Sequence, residues 1–182
     1  MRVPDPIVVN DLLMRMPELG GKKERTLELN CGGLLGQRYD TITRDNHTEV
    51  IGLEDNAAKT DYMKRRAVGT YDIIIACLPP EPSGKSSPYG FNELLLKALK
   101  DVKKGGYVCS LQKITHLESQ KRHEMIYGMY KPERVYIYSH RIDWVDLERN
   151  ANVKGTSTYT WCIWHKGEDG KFSRDSVIDW IV

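Results

Sequence analysis

Apolar positions divide the chain into short runs that alternate between two periodicities. Continuous or alternating apolar stretches at 25–30, 50–53, 72–77 and 107–111 have the length and β-branched content of buried strands. Between them, apolar residues recur at helical spacing. A short helix is predicted over 57–66, and Phe91, Leu94, Leu95, Ala98 and Leu99 place one face of a helix over 91–100. Lys103-Lys104-Gly105-Gly106 reads as its stop, and 117–130 reads as a further helix with basic faces. Residues 135–139 and 159–165 are aromatic and alternating, with Gly155-Thr156-Ser157 between them, and predict two more strands. Near the amino terminus, Asn10 or Asp11 caps a short helix carrying Leu12, Leu13 and Met16, which Gly20-Gly21 ends.

Strands alternating with helices predict an α/β fold: a doubly wound, mostly parallel sheet with helices on both faces. The last two strands lack a full crossover helix and so predict an antiparallel carboxy-terminal pair. The organisation expected is an extension with a short helix at 1–24 and one domain at 25–182. Residues 81–90, rich in Pro, Ser and Gly, read as a mobile loop.

Composition narrows the function classes. With 182 residues, 40% hydrophobic and 29% charged, the chain is long enough for a full core and ordinary for a globular protein. A net charge of +2 does not by itself point to nucleic acid. The basic clusters at Lys22, Lys23 and Arg25, at Lys64, Arg65 and Arg66, and at Lys121 and Arg122 read as solvated faces or as phosphate contacts. No apolar run approaches ~20 residues, and the amino terminus lacks a signal-peptide layout, so no membrane partner is expected. Cys31, Cys77, Cys109 and Cys162 show no C-x-x-C spacing and sit in apolar runs. Buried, reduced thiols and a cytoplasmic location are expected, with Cys31 and Cys77 close together if their strands are neighbours. The five histidines have no ligand spacing, so no metal is expected.

Three places carry candidate chemistry. Leu27-Glu28-Leu29-Asn30-Cys31-Gly32-Gly33 is a strand entering a glycine turn and then a helix. Such a turn admits a ligand close to backbone amides, and it reads equally as a tight structural turn. Glu54 and Asp55 end the second strand. Asp55 or Asn56 suits the cap of the following helix, which frees Glu54 to accept from ribose hydroxyls. The third place is Cys77-Leu78-Pro79-Pro80-Glu81, where a buried strand stops at two prolines that cannot join a ladder. Ligands of open α/β sheets sit beyond the carboxyl ends of the strands, where this corner lies.

Taken in order, the glycine turn, the acid and the Pro-Pro corner, followed by the β-β ending, resemble the class I S-adenosylmethionine-dependent methyltransferases. The corner is similar to the Asn-Pro-Pro-aromatic signature of the amino-methyltransferase group, with Leu78 in the place of Asn and Glu81 in the place of the aromatic. Lys103 to Val108, Ser110 to Arg122, Lys131 to Ile142, Thr160 to Gly167 and Val177 to Ile181 resemble segments of its compact phage-type members. The resemblance implies a Rossmann-like methyltransferase sheet and S-adenosylmethionine as cofactor. It implies cofactor contacts at Glu28, Asn30, Gly32, Gly33, Glu54 and Cys77, and a catalytic corner of Leu78, Pro79, Pro80 and Glu81. The implied activity is methyl transfer to an amino group of a nucleic-acid base, of the N6-adenine type, with DNA ahead of RNA as partner. Leu78 has no hydrogen-bonding atom to hold the target amino group. A catalytically degenerate binding or regulatory module is therefore the alternative. A nicotinamide oxidoreductase would also suit Glu54, but the chain lacks G-x-G-x-x-G. Between Glu54 and Asp72 there is little room for the family's third strand.

Overall fold

The computed structural model describes residues 2–19, 25–31, 48–53, 55–78, 89–146 and 148–182. In chain order the elements are β1 (Arg2–Pro4), α1 (Pro6–Arg15), β2 (Thr26–Leu29), β3 (Thr48–Ile51), α2 (Asn56–Lys64), β4 (Tyr71–Ala76) and α3 (Phe91–Asp101). There follow β5 (Val102–Lys113), a single helical turn α4 (Gln120–Arg122) running into a wide π turn at His123–Tyr127, and β6 (Arg134–Tyr138). The chain closes with β7 (Asp143–Asp146), β8 (Ala151–Lys154), β9 (Tyr159–His165) and β10 (Val177–Ile181). No helix among the described residues is long and apolar enough to cross a membrane.

Seven strands form one sheet in the order β10-β6-β9-β5-β4-β2-β3. Only β9 runs against its neighbours; it pairs antiparallel with both β5 and β6. The expected α/β sheet and its antiparallel ending are therefore present. The sheet stops at β3 among the described residues, because α2 and a short turn lead from there directly into β4. A second, three-stranded antiparallel sheet, β1-β7-β8, lies outside the expected pattern.

Alternation along the strands divides the core. One face carries Leu27, Leu29, Ile74, Ala76, Val108 and Trp164 against Phe91, Leu94, Leu95 and Ala98 of α3. The other carries Ile73, Ile75, Cys109, Leu111, Trp161 and Ile163 against Val8, Val9 and Leu12 of α1. Helix α1 begins earlier than the apolar pattern suggests, because Asp5 caps it and Pro6 takes the first helical position, where a missing N–H costs nothing. The Val8 carbonyl accepts from Tyr138 Oη (3.1 Å) and Trp161 Nε1 (3.2 Å), which fastens α1 to β6 and β9.

Two further differences have local causes. The Gly105-Gly106 pair lies inside β5, at the register slip against β4, and does not separate α3 from the strand. Gly105 has φ 75°, and a Cβ on Gly106 would stand 2.5 Å from the Asp72 carbonyl, so both glycines are required there. The helix expected over 117–130 contracts to α4 and its π turn, since Ile114–His116 first closes a 3-10 turn.

Candidate functional site

In the sheet, β3 flanks β2 on one edge and β5 flanks β4 on the other, so the strand order reverses between the neighbours β2 and β4. At such a switch point the strand ends leave a crevice, the usual ligand site of an open α/β sheet. Asn30, Cys31, Cys77 and Leu78 stand at its mouth, immediately beyond β2 and β4.

Asn30 holds the crevice open. Its φ of 60° turns the chain sharply out of β2, a conformation asparagine tolerates better than other residues with a side chain. Its Nδ2 donates to the Cys77 carbonyl (3.1 Å), and its Oδ1 accepts from the Leu53 N–H (3.1 Å). One carboxamide thus joins the ends of β2, β3 and β4. Each of its polar atoms makes one bond to a neighbouring strand end, so Asn30 positions those ends.

Beneath Asn30 the Cys31 and Cys77 sulfurs approach to 2.8 Å, both buried, as their neighbouring strands require. All four cysteines are free and buried. Burial first, then the hydrogen bond with Cys77 and the neighbouring Glu28, pushes the Cys31 thiol well above its ordinary value, so it is protonated at neutral pH. Glu28 lies wholly buried in β2, on the side of the sheet that faces α1. Asp55 caps α2 by accepting from the Ala58 N–H (2.7 Å). Gly32, Gly33, Glu54, Pro79, Pro80 and Glu81, and the loop at 81–88, lie outside the described residues.

On the α3 side of the corner, Leu78 is 8% exposed and packs into the core with Phe91 and Tyr127. Ser110 pairs in register with Ala76, and Gln112 follows two residues on, on the same face of β5. Gln112 Nε2 donates to Tyr127 Oη (3.0 Å) and to Cys162 Sγ (2.9 Å). The Oε1 of Gln112, Oδ1 of Asn92, Oγ of Ser110 and Nδ1 of His116 are buried with no hydrogen-bond partner among the described residues. His116 meets the edge of Phe91 at 4.5 Å between ring centres. Burial, reinforced by Arg122 and Lys113, pushes its imidazole down to about 4, so it is neutral at pH 7. This polar set was not singled out from the sequence. A glutamine inside the apolar run Val108-Cys109-Ser110-Leu111-Gln112 was the available signal, since an amide there has to be buried. No group of three or more metal-ligating side chains occurs among the described residues.

No family model and no curated protein matches the sequence. Solved structures do match. A Listeria monocytogenes protein described as a class I S-adenosylmethionine-dependent methyltransferase superposes with a TM-score of 0.62 at 15% identity, over 98% of this chain and 65% of its own. The chain therefore spans less than two thirds of that protein. An S-adenosylmethionine-dependent methyltransferase from Archaeoglobus fulgidus gives 0.50 at 14% identity, over 87% of this chain and 93% of its own. The chain shares the methyltransferase fold. A structure concerned with converting a disulfide into a thioacetal during echinomycin biosynthesis gives 0.55 at 7% identity, over 92% of this chain and 83% of its own. At these identities the likeness is one of architecture.

Proposed function

We propose that this protein is an S-adenosylmethionine-dependent methyltransferase acting on the exocyclic amino group of a nucleic-acid base, of the N6-adenine type, with DNA ahead of RNA. The observation that carries the reading is the coincidence of the switch-point crevice with buried polar atoms that have no partner among the described residues. Buried polar atoms are nearly always hydrogen-bonded, so several orphans near one strand end suit a site that takes a polar ligand. The bound cofactor would supply a methyl group on a positively charged sulfur. In this reading the backbone around Asn30, Gly32 and Gly33 receives the cofactor, Glu54 accepts from its ribose, and Glu28 and Cys77 line the crevice from within the sheet.

Leu78 cannot hold the target amino group by its side chain. The acceptor role passes to its backbone carbonyl and to the Gln112 amide oxygen, which lies on the same side of the sheet. The stacking role of the missing aromatic does not pass to Phe91, which is fully buried in the core.

The competing reading, a degenerate module that keeps the fold for binding, draws on Leu78 itself, because its side chain fills core space where the resemblance places a polar group. Calorimetry with S-adenosylhomocysteine and transfer of labelled methyl to DNA separate the two. Binding together with transfer is expected, with Glu54→Ala weakening binding by about 1.5–3 kcal/mol. Leu78→Asn should raise transfer ~10²-fold. Binding without transfer in either protein would select the module, and absence of binding would remove both readings.

A further inference from the structure

At the opposite end of the sheet, below the amino-terminal ends of β4 and β6, lies a cavity of about 690 Å³. That is within the size range of small-molecule sites. It is built by the carboxyl end of α3, the turn after the π segment and the loop joining β9 to β10. Lys100, Lys131, Lys166, Lys171 and Arg174 line it, and no carboxylate does. The chain as a whole carries only +2, so this concentration of charge is local.

Several nearby acids are paired with other cations, while Glu168 and Asp175 of the same loop are outside the cavity lining. Asp101 pairs with Lys97, Asp72 with Lys103, and Glu133 with Arg134 and His165. Asp169 reaches Lys171 at 3.8 Å on an exposed surface. Lys100, Lys131, Lys166 and Arg174 have no carboxylate partner among the described residues. The Lys166 ammonium donates to the Val102 carbonyl (3.0 Å), and burial, aided by Lys104, holds its pKa below the ordinary lysine value. An anion at this place would supply the missing counter-charge.

The floor is not merely basic. Tyr130 and Phe172 meet edge to face with ring centres 5.3 Å apart, and Lys166 stands 5.9 Å from the centre of the Phe172 ring. Leu99 and the exposed Val68 and Met129 extend the apolar surface. Inorganic phosphate has no use for such a floor, whereas a planar heterocycle does. We propose that this basal cavity binds a nucleoside phosphate, its base against Tyr130 and Phe172 and its phosphate among Lys100, Lys131, Lys166 and Arg174. The ligand is either a free nucleotide or one nucleotide of a single strand. The site is separate from the crevice at Asn30 and does not depend on methyl transfer.

The test uses the full chain and calorimetry with AMP, adenosine, inorganic phosphate and a single-stranded octanucleotide. AMP should bind at least about tenfold more tightly than adenosine or phosphate alone. The triple variant Lys100→Ala, Lys131→Ala, Arg174→Ala changes only exposed side chains and should keep its circular dichroism and its affinity for S-adenosylhomocysteine. It should lose about tenfold in AMP affinity, as three partly solvated contacts predict. An octanucleotide that binds more tightly than AMP, and is lost with the same variant, identifies the strand as the source. Equal affinity identifies the free nucleotide, and both results carry the proposal. It is overturned if AMP fails to bind, if phosphate binds as tightly as AMP, or if the triple variant binds AMP like the wild type. S-adenosylhomocysteine failing to bind while AMP binds would remove the methyltransferase reading and leave this site standing.

Discussion

Replacing Asn30 tests the construction of the crevice mouth more directly than any other change. Alanine deletes two hydrogen bonds, to the Cys77 carbonyl and from the Leu53 N–H, each worth about 1 kcal/mol. Leu53 is fully buried, so its amide finds no water in exchange. Alanine must also hold φ at 60°, a conformation that costs a residue bearing a Cβ about 1 kcal/mol. The expected destabilisation of Asn30→Ala is therefore about 3 kcal/mol. Asn30→Gly loses the same bonds and adopts the turn freely, so it should lose only about 2 kcal/mol. Urea unfolding followed by tryptophan fluorescence gives both numbers, provided the slope against denaturant is unchanged. S-adenosylhomocysteine affinity should fall in both variants, because the ends of β2, β3 and β4 are no longer joined. A wild-type midpoint for Asn30→Ala, or Asn30→Gly less stable than Asn30→Ala, would refute this account of the turn.

Three further outcomes follow from the described contacts. His116 has a folded-state value of about 4, below the unfolded imidazole's. Its contribution is thus complete above about pH 6.5 and is lost as pH falls toward 4, amounting to about 1–2 kcal/mol after discount for its partial exposure. A urea-midpoint series across that window should flatten in His116→Leu, and an unchanged slope there counts against the burial argument. Lys97 and Asp101 form a buried pair at 2.5 and 2.7 Å; Asp101→Ala should cost about 3–5 kcal/mol, whereas Lys97→Met with Asp101→Leu should be nearly neutral in the same titration. Thiol titration should count four slow thiols in the native protein and four fast ones in denaturant; four fast native thiols would contradict the burial of all four cysteines.

The central strands of the main sheet were legible because they are buried on both faces and so read as apolar runs. The runs at 25–30, 72–77, 135–139 and 159–165 agree with β2, β4, β6 and β9 to within a residue at each end. Strands β7 and β8 were not, since their residues are largely exposed or half-buried and their pairing depends on β1, more than a hundred positions away. Helix α1 carried its signal in Asp5-Pro6, which is easily taken for a turn because proline both breaks helices and opens them. At the candidate site, the order of turn, acid and corner pointed to Asn30, Cys77 and Leu78, which the fold brings to neighbouring strand ends. What Asn30 does there depends on two other strands, and no local pattern encodes that. The orphaned oxygens of Ser110 and Gln112 were invisible for the same reason, because a missing partner is a property of the folded surroundings.

The attachment of α1 has a consequence for synthesis. Val8 is joined to Trp161, 153 positions later, and to Tyr138, 130 positions later. At ordinary translation speeds the ribosome needs roughly 8–30 s to cover that interval. Throughout it Val8, Val9, Leu12 and Met16 have no finished sheet to cover them. The nascent chain therefore carries this apolar segment without its partner sheet until β9 is made, a surface suited to holding chaperones. Polar replacements on that face should lower the yield of folded protein made at the ribosome more than they lower the stability of the finished molecule.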